Sequence, residues 1–154
     1  MEKKFNSTKS QIKNVNFGAN CQIVEPVNIY NCKIGKNVFI GPFVEIQKNS
    51  DIGDFTKISS HSFICEAVSI GKNCFIGHGV MFTNFLFSDG RKDNGKNNWL
   101  KTEIENDVLI GSNATILPIK ICSGVVIGAG AVVTKDIFIK GTYAGNPAKL
   151  IKKL

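Results

Sequence analysis

Few side chains in this 154-residue chain are suited to chemistry, and their spacing is the first guide to how they are arranged. Glu66 follows Lys48 at the same interval at which Asn84 follows Glu66 and His78 follows Ser60, three times six positions in each case. A carboxylate beside an amide can orient a nucleophile and stabilise charge developing on it, and an imidazole can act as a general base near neutral pH. The two histidines, His61 and His78, are too few for the three protein ligands of a catalytic zinc site, so no metal is expected. The five cysteines, Cys21, Cys32, Cys65, Cys74 and Cys122, are odd in number and contain no C-x-x-C pair. They fit neither a disulfide framework nor a zinc ribbon, and free thiols in a reducing compartment are the expectation. Lys135, Lys140, Lys149, Lys152 and Lys153 crowd the C-terminal end of the chain, where they form point charges suited to phosphate.

Composition frames these residues as one soluble domain. A hydrophobic content of 43% with 20% charged residues is ordinary for a globular chain. No stretch approaches the ~20 apolar residues of a membrane helix, and no apolar run follows the early lysines, so a cytoplasmic address without membrane contact is expected. The net charge of +7 favours an anionic partner. Nucleic acid is disfavoured, because the basic residues are not interleaved with aromatics on a recognisable module.

The positioning framework is a six-residue repeat. Apolar residues fall at Ile34, Ile40, Ile46, Ile52, Ile58, Ile64, Ile70, Ile76 and Phe82 without a slip. A small residue usually follows, as at Gly35, Gly41, Gly53, Ser59, Cys65, Gly71 and Gly77. Four positions after each apolar residue comes a small or β-branched one, from Val38 and Val44 through Ser50, Thr56 and Ser62 to Val80. A period of six matches neither helix nor free-standing strand, and it is the period of a β-solenoid in which three hexapeptides close one triangular coil. Isoleucine then fills the prism, and the glycines are expected to supply corners with positive φ. Upstream, Phe17, Ile23 and Ile29 keep the step before a slip of five, so coils are expected from about Asn14 with residues 1–13 as a polar lead-in. Downstream the pattern runs through Ile104, Ile110 and Ile116, steps once by five, and continues through Ile121, Ile127, Val133 and Ile139.

A coil of three hexapeptides places outward corner residues in columns: Lys48, Glu66 and Asn84; Pro42, Ser60 and His78; Lys36, Asp54 and Lys72. Residues 83–103, with Phe85, Leu86, Phe87 and the only tryptophan, Trp99, interrupt the repeat as a long functional loop. Asn146-Pro147-Ala148-Lys149 reads as an N-cap followed by proline at the first helical position, which predicts a short capping helix over 146–154.

Over residues 14–154 the sequence resembles the left-handed β-helix (hexapeptide-repeat) acyltransferases. The run from Ile127-Gly128-Ala129-Gly130 to Ile137, with Gly145-Asn146-Pro147-Ala148-Lys149, is similar to their coenzyme A end. Phe75-Ile76-Gly77-His78-Gly79-Val80-Met81-Phe82-Thr83-Asn84 resembles the branch that N-acetylates nucleotide-linked amino sugars for surface polysaccharides. The resemblance implies an all-β, left-handed parallel β-helix, acetyl-CoA as co-substrate, and a homotrimer with sites between subunits. It further implies that Glu66 and Asn84 contact the substrate amine, with His78 as base or interfacial contact. Gly111 and Ala129 would hold the pantetheine arm, with Lys135, Pro147 and Lys149 also at the coenzyme. Phe85 stands where that branch usually has aspartate, which fits a 6-deoxy sugar better than a uronate. Acetylation of a hydroxyl on the same fold, or a non-catalytic binding solenoid, are the alternatives.

Overall fold

The computed structural model describes residues 11–86 and 99–154, so residues 1–10 of the expected lead-in and Phe87 of the expected loop lie outside the described residues. Among the described residues the chain winds into a triangular prism with three sheet faces of seven, six and eight strands. Through Val132–Val133 every third strand joins the same face, and all neighbours are parallel except one terminal pair. The registers reproduce the sequence period. Lys33 pairs with Asp51 and Asp51 with Ser69, whereas the five-residue step pairs Glu103 with Lys120. The first coil begins slightly earlier than expected, with Gln11–Lys13 already paired to Asn28–Tyr30.

The repeated isoleucines are the core. Ile40, Ile46, Ile52, Ile58, Ile64 and Ile76 are all at 0% exposure. At about 25 cal/mol per Å² of apolar area removed from water, each contributes roughly 1.5–3 kcal/mol before the entropy of ordering is subtracted. The residues four positions later, such as Val38, Val44, Thr56 and Val80, are also buried. Their hydroxyl members are satisfied locally: Ser50 donates to the Cys65 carbonyl at 3.0 Å and Ser62 to the Gly77 carbonyl at 2.8 Å. Cys74 takes one such inward position and is buried, as core packing requires.

Three expectations are corrected. First, the glycines after isoleucine do not carry the positive φ. That conformation falls two residues later, at Asn37, Phe43, Asn49, Phe55, His61, Ala67 and Asn73, whose φ values lie between 55° and 67°. Asparagine tolerates this region through local hydrogen bonding, which explains its recurrence at the corners. The glycines are needed because neighbouring coils touch there: a Cβ on Gly77 would stand 2.6 Å from the Ser112 nitrogen. Second, the last inward residue is Ile137, 5% exposed, rather than Ile139, 54% exposed. Ile137 bridges to Ile121, and the Cys122 N–H reaches its carbonyl at 2.9 Å, so the final step is shortened to four.

Third, no helix forms over 146–154. Lys149–Lys153 is a strand antiparallel to Gly141–Ala144, reached through a cis Asn146–Pro147 bond. A helix of that length would be marginal on its own. The open edge of Gly141–Ala144 instead offers an existing ladder, and the Ala148 N–H donates to the Val132 carbonyl at 2.8 Å.

The five thiols divide by burial. Burial pushes Cys65 up to about 12 and Cys32 up to about 11, and it raises Cys74 as well. The thiolate is the reactive form, so these three stay protonated and shielded at pH 8. Titrating the native chain with an aromatic disulfide at pH 8 should therefore label half-buried Cys21 fastest and half-buried Cys122, whose pKa burial also raises, more slowly, and unfolding should release all five. Rapid labelling of Cys65 in the native state would contradict the burial.

Candidate functional site

Two corners carry the side chains with chemical potential, and they stand at opposite ends of one face. The strand Phe63–Ile64 leads into Cys65 and Glu66, and the next strand on that face, Met81–Phe82, leads into Thr83 and Asn84. Stacking brings the two functional residues together as the columns predict: the Asn84 side-chain amide donates to the Glu66 backbone carbonyl at 3.3 Å. The Glu66 carboxylate is held from the coil on the N-terminal side. Asn49 Nδ2 donates to Oε1 at 3.0 Å, and Lys48 Nζ lies 3.4 Å from Oε2. Its backbone N–H donates to Gln47 Oε1 at 3.2 Å. The Glu66 side chain is only 13% exposed, so it is a positioned carboxylate and not a solvated surface charge.

Asn84 is also where the regular coil is left. Ser69 pairs with Asp51 on the coil before it at the ordinary repeat, but with Glu103 on the coil after it, beyond the whole excursion. The Leu100 N–H returns to the Asn84 carbonyl at 3.0 Å, and Phe85 meets Trp99 edge to face at 6.2 Å. These contacts close the base of the excursion on the residue proposed to touch substrate. A hollow of about 500 Å³ opens beside this corner, lined by Asn49, Ala67, Lys101 and Glu103 among others.

The second corner carries His78. Its Nδ1 lies 2.8 Å from Ser60 Oγ, one coil toward the N-terminus. The contact with the hydroxyl restrains the ring through Nδ1, and the residue is exposed. Six residues per side at ~3.3 Å each put this corner on the order of 15–20 Å from Glu66 within one chain. His78, Glu66 and Asn84 are therefore not brought together by a single subunit. His61 sits on the same corner with its ring stacked on Phe43, centroids 4.7 Å apart.

Gly111 and Ala129 continue the His78 corner toward the C-terminal end. Some corner amides along the solenoid are satisfied by a side chain one coil on: Lys36 N–H by Asp54 at 3.0 Å, Lys72 N–H by Asn106 at 2.8 Å and His78 N–H by Ser112 Oγ at 3.2 Å. Ala129 offers the Ser112 amide no acceptor side chain. Among the described residues the N–H groups of Ser112 and Ala129 have no acceptor, as is also true of Lys48, Asp54, Ser60 and Asn106 at other corners, whereas Gly111 donates to the Ile127 carbonyl at 2.8 Å. Two unoccupied amide donors stacked on successive coils of one corner suit the amides of an extended ligand arm. Sequence reasoning named Gly111 and missed Ser112, although loss of a polar side chain at position 129 was a readable signal. Lys135, Pro147 and Lys149 are all exposed at this end.

The third column is structural. Asp54 accepts from the Lys36 backbone at 3.0 Å and pairs with Lys72 at 3.6 Å. The Lys36 amide, aided by the two lysine charges, holds the Asp54 carboxyl below the ordinary carboxylate range. Among the described residues no group of three or more histidine, cysteine or acidic side chains could hold a metal ion.

Comparison with known proteins agrees with this geometry. The family model described as the hexapeptide repeat of succinyl-transferase matches residues 67–81 and 101–135, and the bacterial transferase hexapeptide (six repeats) model matches residues 31–66. A 2,3,4,5-tetrahydropyridine-2,6-dicarboxylate N-acetyltransferase of Staphylococcus aureus is 49% identical over 51 residues, which are 32% of this chain and 21% of that protein. The chain thus spans about a fifth of the length of the curated relatives it matches. Among solved structures, a mutant of AntD, an N-acyltransferase from Bacillus cereus in complex with dTDP and coenzyme A, superposes with a TM-score of 0.77 at 24% identity, covering 90% of this chain and 83% of that one. The polySia-specific acetyltransferase NeuO is 30% identical, with a TM-score of 0.52 and coverage of 90% and 70%. Repeat, coil geometry and these matches agree, and the chain belongs to the hexapeptide-repeat family of bacterial transferases.

Proposed function

We propose that the chain is an acetyl-coenzyme A-dependent N-acetyltransferase acting on the amino group of a dTDP- or UDP-linked sugar. We take the sugar to be a 3-amino-3,6-dideoxyhexose destined for surface polysaccharide, acetylated by a homotrimer in the cytoplasm. The observation that carries this reading is the pairing of Glu66 and Asn84 on one corner at the mouth of the excursion. Support comes from the unoccupied Ser112 and Ala129 amides, and from a similarly folded protein that binds dTDP and coenzyme A.

The chemistry needs placement more than activation. The neutral amine attacks the thioester carbonyl, the C–S bond breaks, and the departing thiolate of coenzyme A, with a pKa near ~8.5, takes the amine's proton. Glu66 and Asn84 orient the amine and stabilise the positive charge that develops on it, while backbone donors polarise the carbonyl. In a trimer a neighbour's His78 corner would meet the Glu66 corner, uniting the two halves of the site.

The direct test is a panel of dTDP- and UDP-linked 3-amino and 4-amino sugars with acetyl-coenzyme A, read by thiol release and product mass. Failure to acetylate any amine removes the proposal. A second reading, acetylation of a sugar hydroxyl, is favoured by one observation, the Ser60–His78 pair, which with Nδ1–H donating to Ser60 Oγ makes Nε2 a base. His78→Ala separates the two. General-base catalysis contributes about 10²–10⁴-fold, so a hydroxyl acetyltransferase should lose that much in kcat, whereas an amine acetyltransferase should lose less than tenfold.

A further inference from the structure

The flank of the His78 corner contains a hollow that the roles assigned above leave unused. Its volume is about 210 Å³, and its walls are the rings of Phe39 and Phe75, with Lys57 between them in the ladder. The Lys57 ammonium lies 5.3 Å from the Phe39 centroid and 5.7 Å from that of Phe75. No carboxylate lines the hollow. Lys48, Lys72 and Lys120 each pair with an acid, and among the described residues Lys57 does not. Behind the wall, Ser59 is 2% exposed and its hydroxyl has no hydrogen-bond partner. The Ser60–His78 pair forms the rim.

Two ring faces steady a cation, but each such contact is worth only about 0.5–1 kcal/mol at an exposed site, and neither neutralises the charge. The apolar walls displace water and strengthen the field of the ammonium toward an anion. A volume of about 210 Å³ corresponds to roughly seven waters at ~30 Å³ each, room for a diphosphate but not for a whole nucleotide. Lys57 lies one coil, ~4.8 Å, from the coil that carries Phe75 and His78. A group attached to an anion on Lys57 therefore reaches the His78 corner.

We infer that this hollow is an anion subsite in which Lys57 binds the diphosphate of the nucleotide-linked acceptor. The inference rests on the nucleotide-sugar reading above. Coenzyme A also carries a diphosphate, but the free amides of Ser112 and Ala129 lie on the C-terminal side of His78. An arm held there with its thiol at the His78 corner carries that diphosphate away from Lys57 and leaves the hollow, on the N-terminal side, to the acceptor.

Calorimetry on the full chain with UDP, dTDP, inorganic pyrophosphate and coenzyme A tests this, comparing wild type with Lys57→Met, which keeps the stem and removes the charge. The expected result is a roughly tenfold weaker Kd for UDP, dTDP and pyrophosphate, with coenzyme A unchanged. KM for the nucleotide sugar should rise alike with kcat within twofold, and Lys57→Arg should restore it. Unchanged binding of all three anions overturns the subsite, and so does an equal loss for coenzyme A. A change in solution mass on substitution also overturns it, by making this face an interface between copies. If wild type binds pyrophosphate through Lys57 but neither UDP nor dTDP, the anion subsite stands and the nucleotide reading falls.

Discussion

Replacing Asn84 with alanine should lower kcat well beyond tenfold while leaving KM for acetyl-coenzyme A near its original value. A tenfold loss corresponds to about 1.4 kcal/mol of transition-state stabilisation, and one well-aimed polar contact to developing charge is typically worth ~2.7–4 kcal/mol. The amide is suited to that role because its position is fixed from two sides. Its Nδ2 rests on the Glu66 carbonyl at 3.3 Å, and its own carbonyl closes the excursion through Leu100 at 3.0 Å. The backbone contact survives substitution, so the loop base should persist in the variant. The side-chain contact is long, and its loss should cost no more than about 1 kcal/mol of stability. Activity should therefore collapse without a matching fall in Tm, and a near-normal rate in a folded variant would remove Asn84 from the site. Glu66→Gln is the companion measurement. It keeps an acceptor for Asn49 but removes the charge facing Lys48, so a loss in kcat there reports the carboxylate charge and not its shape.

The parts legible in sequence were those with one physical solution. An isoleucine every sixth residue can be buried in only one way, and each coil repeats the decision, so Ile40 through Ile76 are found where the period puts them. The corner columns follow from the same arithmetic, which is why Glu66 with Asn84 and Ser60 with His78 emerge as contacts. What was not legible depended on partners distant in sequence. Asn146-Pro147 satisfies the local grammar of a helix start, yet the following residues find an open strand edge at Gly141–Ala144. Ile137 and Ile139 are equally apolar, and only the bridge to Ile121 decides which turns inward. The glycine column was visible but its cause was not, because a clash with the next coil leaves no trace in the residue's own neighbourhood. The Phe39–Lys57–Phe75 ladder was readable from the coil register, since these residues stack on the outer side of one face.

That hidden cause leads to the largest effect expected on stability. A Cβ built on Gly53 would stand 2.5 Å from the Gly71 carbonyl carbon, 2.6 Å from its oxygen and 2.7 Å from the Lys72 nitrogen. All three are backbone atoms of the neighbouring coil, which the ladder holds in place: the Gly53 N–H reaches the Ile70 carbonyl at 2.7 Å, and Asp51 pairs with Ser69. No side chain can swing aside, so Gly53→Ala must push two coils apart and weaken hydrogen bonds on the adjoining face. The cost should reach the upper end of overpacking, about 3 kcal/mol or more. Gly130→Ala is the contrasting case. Its φ is +68°, but nothing lies within 4 Å of the added carbon, so only the left-handed conformation is penalised, by roughly 1 kcal/mol. If glycine were selected for backbone freedom, Gly130→Ala would be the more damaging change and Gly53→Ala nearly silent. If it is selected for the closeness of the coils, the order reverses, and Asn37→Gly, at a φ of +55°, should be tolerated. Denaturant midpoints for the three variants decide between the two accounts, and a Gly53→Ala midpoint at or above that of Gly130→Ala would refute the stacking argument.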